Sequence, residues 1–154
     1  MRKLGNDHVI VEPVAGEVPR MRLMIGGNEA VVNGRSLRDA CVMGPEDPIE
    51  GYIFFTDDDS PFEEALSITL TDPRLAVLDQ ATIGAPYATA LLDEVRIEGP
   101  GRLTFDLAAS ADTWRLTVLD RPEWRVPLRS GKGWQWHGLA LRRNFRIERD
   151  SADG

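Results

Sequence analysis

The chain has 154 residues, of which 42% are apolar and 28% charged, the size and balance of one globular domain able to bury roughly 68–70% of the surface its unfolded form exposes, and these proportions argue against a disordered or membrane-embedded protein. A formal net charge of -7 argues against general binding to nucleic-acid backbones, which depends on Lys and Arg displacing counterions. Cys41 is the only cysteine, no apolar run reaches transmembrane length, and Met1 to Pro13 lacks the apolar centre of a secretory signal, so a cytoplasmic protein without disulfides or a membrane anchor is expected.

In chain order, His8 to Val14 brings Val9, Ile10 and Val11 up to Pro13, which has no N–H to give to a ladder, and reads as an edge strand. Arg20 to Ile25 reads as a strand, Gly26-Gly27-Asn28 as a tight turn and Glu29 to Val32 as the return. Ser36-Leu37-Arg38-Asp39 resembles a capping box leading into Leu37, Ala40 and Cys41, with Gly44-Pro45 as the stop. That pattern predicts one short helix, against a competing strand over Ala40 to Met43.

The stretch from Gly51 to Asp72 joins two apolar runs through an acidic loop. Tyr52 to Phe55 is continuously apolar, and Leu66, Ile68 and Leu70 alternate with Ser67, Thr69 and Thr71 in the period of a half-buried strand. Between them, Ser60-Pro61-Phe62-Glu63 has the form of an N-cap followed by Pro at the first helical position, which predicts a second short helix.

Leu75 to Leu78 and Ala81 to Ile83 are short apolar runs, and Gly84 to Ala90 reads as a loop. Val95 and Ile97, the turn Gly99-Pro100-Gly101, and Leu103, Phe105 and Leu107 make the clearest hairpin. Trp114, Leu116 and Val118 continue the apolar alternation, a corner is expected at Asp120-Arg121-Pro122-Glu123, and Trp124, Val126 and Leu128 resume it beyond. Leu139, Leu141, Phe145 and Ile147 then share one face of a closing strand. The expected fold is all-β, an antiparallel β-sandwich or partly open β-barrel with one or two short helices. It spans residues 1–150 as a single domain, with 151–154 as a disordered tail.

Charge is distributed unevenly along the chain. Asp39 to Asp72 holds ten acidic residues and no Lys or Arg, whereas Arg125 to Arg149 holds seven basic residues and one acidic residue, Glu148. If this survives folding, the molecule has an anionic face and a cationic strip, a property that governs association more than fold.

Nucleophile elbow, zinc-protease, dithiol, dinucleotide and P-loop motifs are absent from the sequence. Carboxylates such as Asp57, Asp59 and Glu63 are of the type Ca²⁺ takes, but their spacing is not that of an EF-hand, so no metal and no cofactor is expected. His8 and His137 lie far apart in sequence. Cys41 has Asp39 nearby and no Lys or His beside it, which reads as a small buried hydrophobe.

The favoured functional expectation is a non-enzymatic module in an inhibitor, immunity-protein or chaperone-like role. It would engage a basic protein partner through Asp57, Asp58, Asp59, Glu63 and Glu64. The alternative is a small-ligand β-barrel, possibly an enzyme, with a pocket at the Trp-rich C-terminal end formed by Trp134, Trp136 and His137. Trp114 and Trp124 fall in apolar register and are expected in the core.

Overall fold

Consecutive strand residues point to opposite faces, so Tyr52 to Phe55 demands apolar neighbours on both sides. The computed structural model supplies them, and describes residues 1–60, 64–84, 89–108, 110–124, 134–136 (backbone) and 142–150. Its strands are β1 (Arg2–Lys3), β2 (Ile10–Val14), β3 (Arg20–Ile25), β4 (Asn28–Asn33), β5 (Ser36–Met43), β6 (Gly51–Asp57) and β7 (Leu66–Thr71). There follow β8 (Val77–Ile83), β9 (Leu92–Gly99), β10 (Arg102–Leu107), β11 (Thr113–Trp124), β12 (Trp134–Trp136) and β13 (Arg142–Asp150).

They form three antiparallel sheets: a six-stranded sheet ordered β1-β5-β6-β7-β8-β12, a four-stranded sheet ordered β13-β11-β10-β9, and a three-stranded sheet ordered β2-β3-β4. No sheet closes into a barrel among the described residues. The six-stranded sheet is the central layer. Ile53 and Phe55 of β6, with Ile68 and Leu70 of β7, pack on Leu103, Phe105, Trp114, Leu116, Phe145 and Ile147 of the four-stranded sheet. Tyr52 and Phe54 project the other way, onto Met21, Leu23, Ala30 and Val32 of the three-stranded sheet.

The β3–β4 turn lies where the glycines place it. Gly26 and Gly27 have φ of 55° and 84°, the doubly positive conformation of a two-residue hairpin turn that matches strand twist.

Four expectations are corrected. Ser36 to Cys41 is not helical but lies within β5. Its Ala40 to Met43 are all buried, Asp39 receives its own neighbour's amide (Ala40 N to Oδ1, 2.8 Å) instead of closing a capping box, and Arg38 is the extra residue of a bulge opposite β6. That bulge is what gives the strand helix-like spacing. The described residues contain no α-helix, only a 3₁₀ turn at Asn6–His8; the second expected helix, at 60–63, lies mostly outside them.

Second, β7 is buried on both faces. Ser67, Thr69 and Thr71 are as hidden as Leu66, Ile68 and Leu70. Thr69 is satisfied by Gln80 Nε2 at 3.0 Å and Ser67 by Thr82 at 3.3 Å, so the alternation marks a polar ladder inside the sheet and not a wet face.

Third, the corner at 120–123 is not a turn. β11 runs through it, with Val118 opposite Phe145 and Glu123 opposite Arg143, so that residues 119–122 stand against Asn144 alone. A bulge tolerates Pro122, which lacks the donor a continuous ladder would need.

Fourth, Trp124 is 68% exposed, with the Arg142 guanidinium 4.6 Å from its ring centroid, because the bulge shifts it out of the register that buries Trp114. Trp114→Ala is therefore expected to lose about 3–5 kcal/mol of stability, and Trp124→Ala less than about 0.5 kcal/mol, as read from paired urea titrations. The stretch expected to continue with Val126 and Leu128, and the tail at 151–154, lie outside the described residues.

Candidate functional site

β6 ends in the acidic segment, and its last residue decides how the loop leaves the sheet. The Asp57 side chain is fully buried and paired with the Arg38 guanidinium. Its Oδ1 also accepts the amide of Asp59 at 3.2 Å, while its carbonyl accepts the Arg35 amide at 2.6 Å. Gly34 makes this approach possible: with φ of 113°, a Cβ there would stand 2.8 Å from that carbonyl, so a larger residue would push the β4–β5 connection away.

Beyond this latch, Asp58 is half-buried and Asp59 exposed. Asp59 adopts φ of 49°, a left-handed conformation Asp tolerates better than most residues. Arg38 also reaches Asp59 at 3.8 Å, and Glu64 is half-buried with its charge acting on Arg38. Partial burial, reinforced by the Asp57 charge and opposed by Arg35, holds the Asp58 carboxyl above its usual range. Glu63 lies outside the described residues. Of the five expected partner-binding carboxylates, Asp58, Asp59 and Glu64 thus face or approach solvent, whereas Asp57 is a buried anchor beneath them.

The fold divides the acidic run. Glu46, Asp47 and Glu50 precede β6, and Asp57, Asp58 and Asp59 follow or end it, so the two groups lie about 20 Å apart across a seven-residue strand. The sequence therefore does not build one anionic face. Nor do the described members of the basic run build a free strip: Arg142 lies over the Trp124 ring, Arg143 pairs with Asp79, Arg146 with Glu123, and Arg149 with Asp112.

At the opposite end from the acidic loop, the two larger sheets part around a cleft of about 620 Å³. Met43, Leu70 and Leu78 line it from the central sheet, and Val118 and Leu119 line it from the bulge of β11. Glu50 and Asp120 stand on the two sides.

Beside the cleft, the sheets are tied by a buried ion pair. Arg143 Nη1 donates to Asp79 Oδ1 at 3.0 Å, and the carboxylate also accepts the amides of Asn144 at 2.8 Å and Gln80 at 2.9 Å. Sequence reasoning passed over both the cleft and the pair. A signal was present, since Asp79 and Arg143 occupy apolar registers, the first with Ala81 and Ile83 and the second with Phe145 and Ile147. A lone charge in such a register implies a buried partner.

At the Trp-rich end, β12 pairs Trp134 with Ile83 and Trp136 with Ala81, and His137 lies outside the described residues. His8, in the 3₁₀ turn, is exposed beside Asp7 at 3.1 Å. Cys41 is buried, and burial, with a contribution from Asp39, pushes its thiol up to about 11, which suits packing more than reactivity.

Among the described residues, no group of three or more His, Cys, Asp or Glu is arranged to hold a metal ion, and no helix is long and apolar enough to cross a membrane. No protein-family model, curated protein or solved structure matches the chain.

Proposed function

We propose that the protein is a non-enzymatic, cytoplasmic binding module that engages a basic protein partner through the loop after β6, in an inhibitor, immunity-protein or chaperone-like role. The observation that carries this reading is the Asp57 latch. A buried carboxylate that grips both Arg38 and the Asp59 amide fixes the first turn of the loop, so Asp58 and Asp59 are presented without the ordering cost a floppy acidic loop would bear on binding. Charges of one sign held in place steer a complementary partner and raise its association rate.

The test separates the latch from the contacts. Asp58→Asn with Asp59→Asn is expected to leave the midpoint of unfolding nearly unchanged. It should slow association with the partner recovered by pull-down about tenfold at low ionic strength, and the difference should shrink as salt shortens the Debye length from roughly 10 Å at 0.1 M to 3 Å at 1 M. Asp57→Asn should instead destabilise the fold by about 1–3 kcal/mol, because the charge facing Arg38 is lost and one of the two oxygens that accept from Arg38 and the Asp59 amide becomes an NH₂ donor. An association rate unchanged by the double substitution at every salt concentration would overturn the reading.

The same contact has a pH signature. In the free protein, Asp58 holds its proton to higher pH than an ordinary aspartate, and a cationic partner favours the ionised form, so binding releases a proton. Affinity is then expected to rise with pH through the free-state titration of Asp58 and to level off above it. Calorimetry in two buffers of different ionisation enthalpy reads the released proton directly, and Asp58→Asn should abolish it.

A further inference from the structure

The cleft at the far end of β6 goes beyond the acidic-loop reading, since it lies on the other side of the central sheet's long axis and shares no residue with that loop. Its floor is apolar: Met43 and Leu70 are buried, and Leu78 and Val118 remain partly open to it. A volume of about 620 Å³ lies within the roughly 300–1,000 Å³ of small-molecule sites, which combine apolar walls with a few placed polar groups. The methionine at the floor adds a side chain that adapts its shape to what it meets.

The cleft is held open by specific features. The bulge in β11 sets four residues, 119–122, against Asn144 alone, and this excess chain carries Leu119 and Asp120 to the cleft wall; bulges recur where a strand must re-aim side chains beside a site. Asn144 in turn is fixed from below: its amide donates to Asp79 and its Nδ2 donates to the Leu78 carbonyl at 3.1 Å. Both walls are thereby fastened to the buried Asp79–Arg143 pair.

The charge of the lining selects the ligand. Glu50, from the β5–β6 connection, and Asp120, from the other sheet, are the ionisable side chains that line the cleft, and neither forms an ion pair with another described residue. Among the described residues, no Lys or Arg side chain lines it. Apolar walls flanked by two carboxylates that form no ion pair with a described residue, against the single ammonium of Met1 at the lining, leave an excess of negative charge that fits a molecule with an apolar body and one positive group. We infer that this cleft binds a small amphipathic amine, its apolar part against Leu70, Leu78 and Val118 and its ammonium between Glu50 and Asp120.

The experiment compares octylammonium, octanol and octyl sulfate, each below its aggregation threshold, by calorimetry and by amide shifts in ¹⁵N-labelled protein. Octylammonium should bind saturably and about tenfold more tightly than octanol, with octyl sulfate weakest, and shifts should centre on Glu50, Val118, Leu119 and Asp120. Both carboxylates are exposed, so Glu50→Gln with Asp120→Asn should keep the wild-type midpoint of unfolding. The double variant should lose the tenfold preference for the amine while octanol binding stays unchanged. Val118→Trp, which fills the cleft without touching its charges, should weaken all three ligands. Equal binding of octylammonium and octanol, an amine preference that survives the double substitution, shifts centred elsewhere, or no saturable binding would each overturn the inference. None of these readouts involves Asp58 or Asp59, so failure here is distinct from failure of the acidic-loop reading.

Discussion

Asp79→Ala is expected to destabilise the protein by about 3–5 kcal/mol, the cost of leaving one member of a buried ion pair without its partner. Both side chains are almost wholly buried, at 4% exposure for Arg143 and 1% for Asp79, so neither can turn to water when the other is removed. Burial pushes the Asp79 carboxyl above its usual range even though two backbone amides and Arg143 favour the anion, which means that desolvation outweighs those attractions. Buried ion pairs of this kind tie elements together but commonly add no more stability than a well-packed uncharged joint. Arg143→Met alone should cost as much as Asp79→Ala. Asp79→Asn with Arg143→Met, which removes both charges and keeps an acceptor for one of the two amides, those of Gln80 and Asn144, should recover part of the loss. Urea denaturation of these three variants and of Asp79→Asn alone checks this. A double variant as unstable as the sum of Arg143→Met and Asp79→Asn would mean that the charges themselves hold the sheets together.

The second large effect concerns two adjacent phenylalanines. Phe54→Ala and Phe55→Ala are each expected to cost about 3–5 kcal/mol, since both side chains are fully buried and each deletion leaves a cavity in a packed core. Their partners differ. Phe55 meets Phe105 edge-on at 5.6 Å between ring centroids, and Phe105 stacks on Trp114 at 6.2 Å, whereas Phe54 stacks on Tyr52 at 5.9 Å in the other core. A double-mutant cycle of Phe55→Ala with Phe105→Ala should show a coupling of about 0.5–1.5 kcal/mol. The cycle of Phe54→Ala with Phe105→Ala should be additive within about 0.5 kcal/mol, because the sheet backbone separates the two sites. Equal couplings in the two cycles would contradict a central sheet with independent faces.

The class of fold was legible because it rests on local signals. The turn at Gly26-Gly27, the hairpin around Gly99-Pro100-Gly101 and the alternation through Leu103, Phe105, Leu107, Trp114 and Leu116 each depend on residues close in sequence, and each appears where it was expected. The double burial of β6 was also written in Tyr52 to Phe55, though its reading as the middle of three layers needed the other sheets in place.

Three of the four errors share a cause. A bulge inserts residues without changing composition, so in β5 it made a strand resemble a helix, and in β11 it made a strand resemble a corner and returned Trp124 to solvent. Period-two reasoning assumes an unbroken ladder and fails at the residues where the ladder slips. Ser67, Thr69 and Thr71 misled in a different way, because polarity signals a wet face only when no neighbouring strand supplies the hydrogen bonds.

For the sites the division is sharper. Propensity and period were enough to make this an all-β chain rich in carboxylates, with strands, turns and apolar residues in workable order. Packing in three dimensions sets Glu46, Asp47 and Glu50 at one end of β6 and Asp57, Asp58 and Asp59 at the other, makes Asp57 an anchor while Asp59 is exposed, and places Glu50 and Asp120 on the two sides of a cleft. Electrostatic and binding properties depend on distances of a few ångströms between residues tens of positions apart, and burial alone can turn a carboxylate from a recognition group into a structural one.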